Sequence, residues 1–156
     1  MKSLVWFRGD LRLDDNPALR NACENSEEVS AVFLFSPKQL SLHSEANIKV
    51  DFLLKNLVLL EKKLNDLNIC LTIIESEGFS FDKGYISNLA AKNNIDKVFW
   101  NNQFGEDELH RDLQVSEALA SNKINYEFFD DQVVYKPGTL KTGQGNPYSV
   151  FTPFKR

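Results

Sequence analysis

Cysteine, histidine and methionine are scarce in this chain: two, two and one among 156 residues. Cys23 and Cys70 are too few for a disulfide framework, and with His43 and His110 they share no metal-ligand spacing. Free cysteine behaves as a small apolar residue, so both are expected in the core, and the two histidines on the surface. No apolar run approaches the length that crosses a membrane. At the N-terminus one lysine precedes a short apolar run that Arg8 and Asp10 end at once, unlike a secretory signal. A basic excess is also missing. Eighteen Lys and Arg face 22 Asp and Glu, for a net charge of −4, which argues against a surface that wraps nucleic acid as a whole. These absences leave a soluble, cytoplasmic globular protein as the expectation.

The residues present have ordinary globular proportions, 42% apolar and 26% charged, and the length suits one domain with a sizeable core. Strand and helix patterns alternate. Ser3–Phe7 is a continuous apolar run, as a strand buried on both faces should be. Asn16-Pro17 opens a helix to about Glu24, with Asn as cap and Pro at the first helical position. Val29–Phe35 is a second strand, stopped by Pro37. Val50, Leu53, Leu57, Leu60, Leu64 and Leu67 recur at steps of three and four and mark one helical face. Leu71–Ile74 is a third strand. A helix over Phe81–Asn93 turns Ile86, Leu89 and Ala90 inward. Val98–Trp100 is a fourth strand, Asp107–Ala120 a helix with Leu109, Leu113 and Leu119 as core candidates, and Tyr126–Phe129 a fifth strand. The order implies an α/β, Rossmann-like, doubly wound five-stranded parallel sheet with helices on both faces. Ligands in such folds sit beyond the carboxyl ends of the strands.

From Asp131 onward the character changes. Residues 136–156 hold Pro137, Gly138, Gly143, Gly145, Pro147 and Pro153, with four basic residues and no acid. This reads as an extended segment crossing the domain surface. Its Tyr148, Val150, Phe151 and Phe154 need a surface to pack on, and the chain is expected to continue past Arg156. Gly143-Gln144-Gly145-Asn146-Pro147 follows no strand and opens no helix, so it is a turn and not a phosphate loop.

The first strand–helix loop, Arg8 to Asn16, has one glycine and so lacks the Gly-x-Gly-x-x-Gly dinucleotide pattern. It offers two arginines and three aspartates instead. They form either an internal ion-pair lattice that fixes the loop or a polar wall for a ligand. After the fourth strand, Glu106, Asp107 and Glu108 open a helix. Complementing the helix dipole accounts for all three acids. The alternative is that a carboxylate here accepts paired N–H groups from an amidine-like edge, such as the aminopyrimidinone of a pterin. No nucleophile elbow, metal cluster or complete catalytic constellation is visible.

Two long motifs carry a resemblance. Trp6-Phe7-Arg8-Gly9-Asp10-Leu11-Arg12-Leu13-Asp14-Asp15-Asn16-Pro17-Ala18-Leu19 resembles the N-terminal signature of the photolyase/cryptochrome family. Gly143-x-Gly145-x-Pro147-Tyr148-x-Val150-Phe151-Thr152-Pro153-Phe154 resembles the segment that closes that family's N-terminal domain. The resemblance spans the chain and implies the α/β antenna domain of a bacterial photolyase for cyclobutane pyrimidine dimers, residues 1–131. Residues 132–156 would then lead to a C-terminal helical domain that holds FAD and meets damaged DNA. It implies a second chromophore here, methenyltetrahydrofolate or a deazaflavin, that passes excitation to the flavin. By position Glu108 resembles the pterin-holding carboxylate. Its neighbour Asp107 stands where relatives often carry Asn, and Trp6, Phe7, Arg8 and Asp10 resemble the other lip of the crevice. A cryptochrome-type photoreceptor domain and a stand-alone nucleotide-binding module are the competing readings.

Overall fold

The computed structural model describes residues 1–154, apart from the side chains at 79–81 and 153. Its elements are β1 (Lys2–Phe7), α1 (Pro17–Asn25), β2 (Glu28–Phe35), α2 (Pro37–Leu42), α3 (Asn47–Asn65), β3 (Cys70–Glu75), α4 (Phe79–Lys92), β4 (Lys97–Asn101), α5 (Glu106–Ser121), β5 (Asn125–Phe129) and α6 (Phe151–Phe154). The strands form one parallel sheet in the order β3-β2-β1-β4-β5. This is the doubly wound arrangement expected from the alternation of strands and helices, and the winding reverses between β1 and β4.

Side-chain alternation divides the core in two. Val5, Phe7, Ala31, Phe33 and Phe99 face Ala18, Leu19 and Ala22 of α1 and Leu57, Leu60 and Leu64 of α3. Leu4, Trp6, Val32, Val98 and Trp100 face Ile86 and Ala90 of α4 and Val115 and Leu119 of α5. The register keeps these sets in line: Val5 pairs with Ala31 and Phe99, Trp6 with Val32. Trp6 and Phe7 are neighbours in sequence and therefore occupy opposite layers.

Asn16 caps α1 by accepting the Leu19 N–H, with Pro17 at the first helical position. Ser36-Pro37 repeats that signature, and its hydroxyl accepts the Gln39 N–H to open α2. The Pro that stops β2 thus also starts a helix.

Several inward assignments are corrected. Leu109 and Leu113 are 50% and 57% exposed. The buried face of α5 is Arg111, Asp112, Val115, Ser116 and Leu119. Two charged residues take the inward positions of its first half, which hides that face from a hydrophobic count. Leu67 lies past the end of α3 and is exposed. Both cysteines are exposed too. Cys23 follows Ala22 off the buried face of α1, and Cys70 begins the edge strand β3. Beyond β5 the described chain makes turns and one Lys141–Pro147 bridge before the single turn of α6. There Tyr148 and Phe151 each contact Phe154, with ring centroids 6.0 and 6.2 Å apart. Lys155 and Arg156 lie outside the described residues.

The two faces of α3 yield a test. Leu64→Ala, in the core, should lose about 2–5 kcal/mol in denaturant unfolding. Leu59→Ala, on the exposed face, should change stability by less than about 0.5 kcal/mol. Equal losses would contradict the placement of this helix.

Candidate functional site

The winding reversal leaves a crevice at the carboxyl ends of β1 and β4, and in this chain polar side chains fill it. Asp10 Oδ1 accepts the Arg8 backbone N–H at 2.9 Å. Its Oδ2 accepts the amides of Asn101 at 2.6 Å and Asn16 at 3.2 Å. Asn101, the last residue of β4, also donates to Asn16 Oδ1 at 2.8 Å and accepts the Ala18 N–H at 3.2 Å. Arg12 reaches across to both Asp131 carboxylate oxygens at 2.7 and 2.8 Å, and its pKa rises, chiefly through that hydrogen bond. The first loop is therefore stitched to β4, α1 and the segment after β5. Of the two readings of its charges, the lattice describes Asp10 and Arg12.

Arg8 does more. Its guanidinium donates to the Asn101 carbonyl and to Asp112 Oδ1, the latter at 2.8 Å. Arg111 donates to the same Oδ1 from Nε and Nη2, at 2.9 and 2.7 Å, and from Nη2 to Gln103 Oε1 at 2.9 Å. One buried carboxylate thus gathers two buried guanidiniums. Both lie over the Trp6 indole, with their carbons 4.6 Å (Arg8) and 4.9 Å (Arg111) from its centroid. Burial lowers the Arg8 pKa to about 10 against the opposing pull of Asp112, so Arg8 stays cationic at neutral pH.

Beside this group lies a cavity of about 410 Å³, displaced from the reversal point toward β2. Trp6, Arg8 and Arg111 form one wall, Phe35, Ser36, Gln39, Leu40 and His43 another. Asp82, Gln103, Glu108 and Glu45 also line it. Its volume lies in the range of small-molecule sites. Asp82 is buried and accepts the Ser76 hydroxyl. Burial raises its pKa above the ordinary carboxylate value of 3.8, with Ser76, Arg111 and Arg8 opposing. Glu108 folds back over Gly105, where a Cβ would overlap its carboxylate. Glycine at that helix cap is what leaves the carboxylate room. No group of three His, Cys, Asp or Glu among the described residues is placed to hold a metal.

Of the six candidates from the sequence, the structure brings Trp6, Arg8 and Glu108 together on the cavity. Phe7 is fully buried in the opposite layer. Asp10 is held in the lattice, and Asp107 is exposed outside the cavity lining. Arg111, Asp112, Gln103, Asp82 and Gly105 escaped the reading. Arg111-Asp112 at inward positions of a helix was the signal available for two of them, because adjacent charges are buried only when paired.

Fold and cavity together define a doubly wound α/β domain with its site at the carboxyl end of the sheet. A DNA photolyase family model matches residues 3–156, and the chain belongs to that family. It is 37% identical over 153 residues to the deoxyribodipyrimidine photo-lyase of Vibrio cholerae, covering 98% of this chain and 33% of that protein. The chain thus spans about a third of the length of the curated relatives it matches. The solved class III photolyase from Agrobacterium tumefaciens matches 98% of this chain and 30% of its own, with a TM-score of 0.78 and 25% identity. A cryptochrome from Synechocystis sp. PCC6803, at 21% identity, is alike in fold, with a TM-score of 0.86 over 99% of this chain and 32% of its own.

Two outcomes are expected. Asp112→Ala strands two buried guanidiniums and should cost about 3–5 kcal/mol in denaturant unfolding. A loss no larger than that of an exposed ion pair would contradict the clasp. Asp82 binds its proton more tightly when folded than when unfolded. Its contribution to stability therefore falls as pH rises from 3.8 to its native pKa, and is flat on either side. Asp82→Asn should accordingly gain in melting temperature relative to the natural chain across that window. A constant difference from acid to neutral pH would refute this.

Proposed function

We propose that this chain is the N-terminal light-harvesting domain of a deoxyribodipyrimidine photo-lyase. On this reading residues 1–131 form the antenna domain, and 132–156 lead to a C-terminal helical domain that holds FAD and meets damaged DNA. The observation that carries the proposal is the cavity. The Trp6 indole, the guanidiniums of Arg8 and Arg111 and a half-buried carboxylate, Glu108, line one space of small-molecule size. That donor set fits a planar heteroaromatic ring with N–H groups on one edge. Methenyltetrahydrofolate is the preferred ligand and a deazaflavin the alternative. When bound, such a chromophore supplies absorption of blue or near-ultraviolet light and hands the excitation to the flavin.

This chain's own residues bind, orient and exclude water. Glu108 would accept the paired N–H groups of an aminopyrimidinone edge. Trp6, Arg8 and Arg111 present a rigid surface for the ring face, held by Asp112. Gln103 is fixed by Arg111 at the rim. Asp107 adds negative charge outside the mouth. Phe7 and Asp10 act through the fold, by anchoring β1 and the loop that follows it. The chain alone is expected to lack repair activity, because on this reading the flavin and the lesion site belong to the C-terminal domain. The intact protein is expected to be a cytoplasmic monomer.

The test uses the intact natural protein. Glu108→Ala should lose the folate absorbance, and repair of a thymine-dimer oligonucleotide should drop in dim light and recover in saturating light. Unchanged folate absorbance would overturn the assignment of Glu108. Absence of any light-dependent repair by the natural protein, with flavin bound, would favour a cryptochrome-type photoreceptor.

A further inference from the structure

Indole is a readily oxidised side chain, and Trp6 stands in the wall of the cavity with 1% of its surface exposed. A light-harvesting site with such a wall has a built-in route to loss. A light-excited, electron-accepting heteroaromatic ring beside an indole can take one electron from it. The electron then returns in the dark and the photon is spent as heat. Here the loss has a further outlet. Trp6 meets Trp100 edge to face at 6.1 Å, and Trp100 stacks on Tyr126 at 5.5 Å. Tyr126 is 38% exposed on the edge strand. A positive hole left on Trp6 could pass along this chain to Tyr126, whose phenolic proton would go to water. The electron would then have no immediate way home.

The groups lying over the Trp6 ring are both cations. Arg8 and Arg111 bring their guanidinium carbons within 5 Å of its centroid, and burial keeps water from screening them. A positive charge over the ring opposes removal of an electron from it. Asp112, Asp82 and Asp10 are near the guanidiniums, and Asp112 fixes them through their N–H edges. Carboxylates at the indole face would make oxidation easier, and it is the guanidiniums that occupy this position.

We propose that Arg8 and Arg111 guard Trp6 against oxidation, so that excitation held in the cavity is not quenched by its own wall. The inference rests on the light-harvesting reading. The guanidiniums act as positioning and electrostatic groups, distinct from the residue that captures the ring edge.

The experiment takes the intact natural protein loaded with 5,10-methenyltetrahydrofolate and follows the excited-state lifetime of the bound chromophore. The charge-removing Arg111→Gln should shorten the lifetime roughly threefold or more, because a charge this close in a dry site shifts the indole energy by well over the thermal energy. The charge-retaining Arg111→Lys should stay near the natural value, which separates charge from shape. Adding Trp6→Phe to Arg111→Gln should restore the lifetime by removing the electron donor. In Arg111→Gln, transient absorption should also reveal a tyrosyl radical that Tyr126→Phe abolishes. An unchanged lifetime in Arg111→Gln with the chromophore still bound overturns the proposal. So does a shortening that survives Trp6→Phe, since the quencher is then another group. A natural protein that retains no chromophore fails the light-harvesting reading itself, and its absorbance reports this separately from the lifetimes.

Discussion

Asp112 accepts three N–H bonds on one carboxylate oxygen, from Arg8 at the end of β1 and from Arg111 beside it on α5. The remaining features of the site follow from that clasp. It draws the N-terminal half of α5 against the end of β1, a contact that apolar packing alone would not make with charged residues at the inward positions. It holds both guanidiniums over Trp6, making the wall cationic. Through Arg111 it sets Gln103, and it helps to place the first turn of α5, from which Glu108 reaches the cavity. A lone buried charge would be costly; here Arg8 and Arg111 share Asp112 Oδ1, while Arg8 Nε and Asp112 Oδ2 stay buried without a hydrogen-bond partner among the described residues.

The polar lattice around Asp10, Asn16 and Asn101 has a complementary effect. In open α/β sheets the point where the winding reverses is the natural place for a ligand. Here three buried polar side chains saturate one another there and bind the start of α1 to the end of β4. The usable space is displaced toward β2 and roofed by α2 and α3. The absent glycine-rich loop fits this picture, because that part of the crevice is occupied by side chains and offers no row of free backbone amides.

Much of the fold was legible in the sequence. The buried run Ser3–Phe7, the Asn16-Pro17 helix start and the leucine steps of α3 each express one dominant force, and each element formed where those signals lie. The site was harder to read, for identifiable reasons. Trp6 and Phe7 look equivalent in a continuous apolar run, and only the period of two along a strand sends one to the cavity and the other to the opposite core. Leu109 and Leu113 suggested a buried face that the Arg111–Asp112 pair in fact occupies, because ion pairing across distant parts of the chain overrode the hydrophobic pattern. Gly105 stands in no recognisable motif, yet it is the clearance that lets Glu108 fold back. Ser36-Pro37 did carry a helix signal, the same one as Asn16-Pro17, masked by its position directly after a strand.

The central claim is that the cavity beside Trp6 seats a chromophore. The most direct measurement is a crystal structure of the intact natural protein carrying its second chromophore. The account predicts ring density in the space bounded by Trp6, Arg8, Arg111 and Glu108, with its N–H edge on the Glu108 carboxylate. A chromophore bound elsewhere on the molecule, with this cavity filled only by solvent, would contradict it.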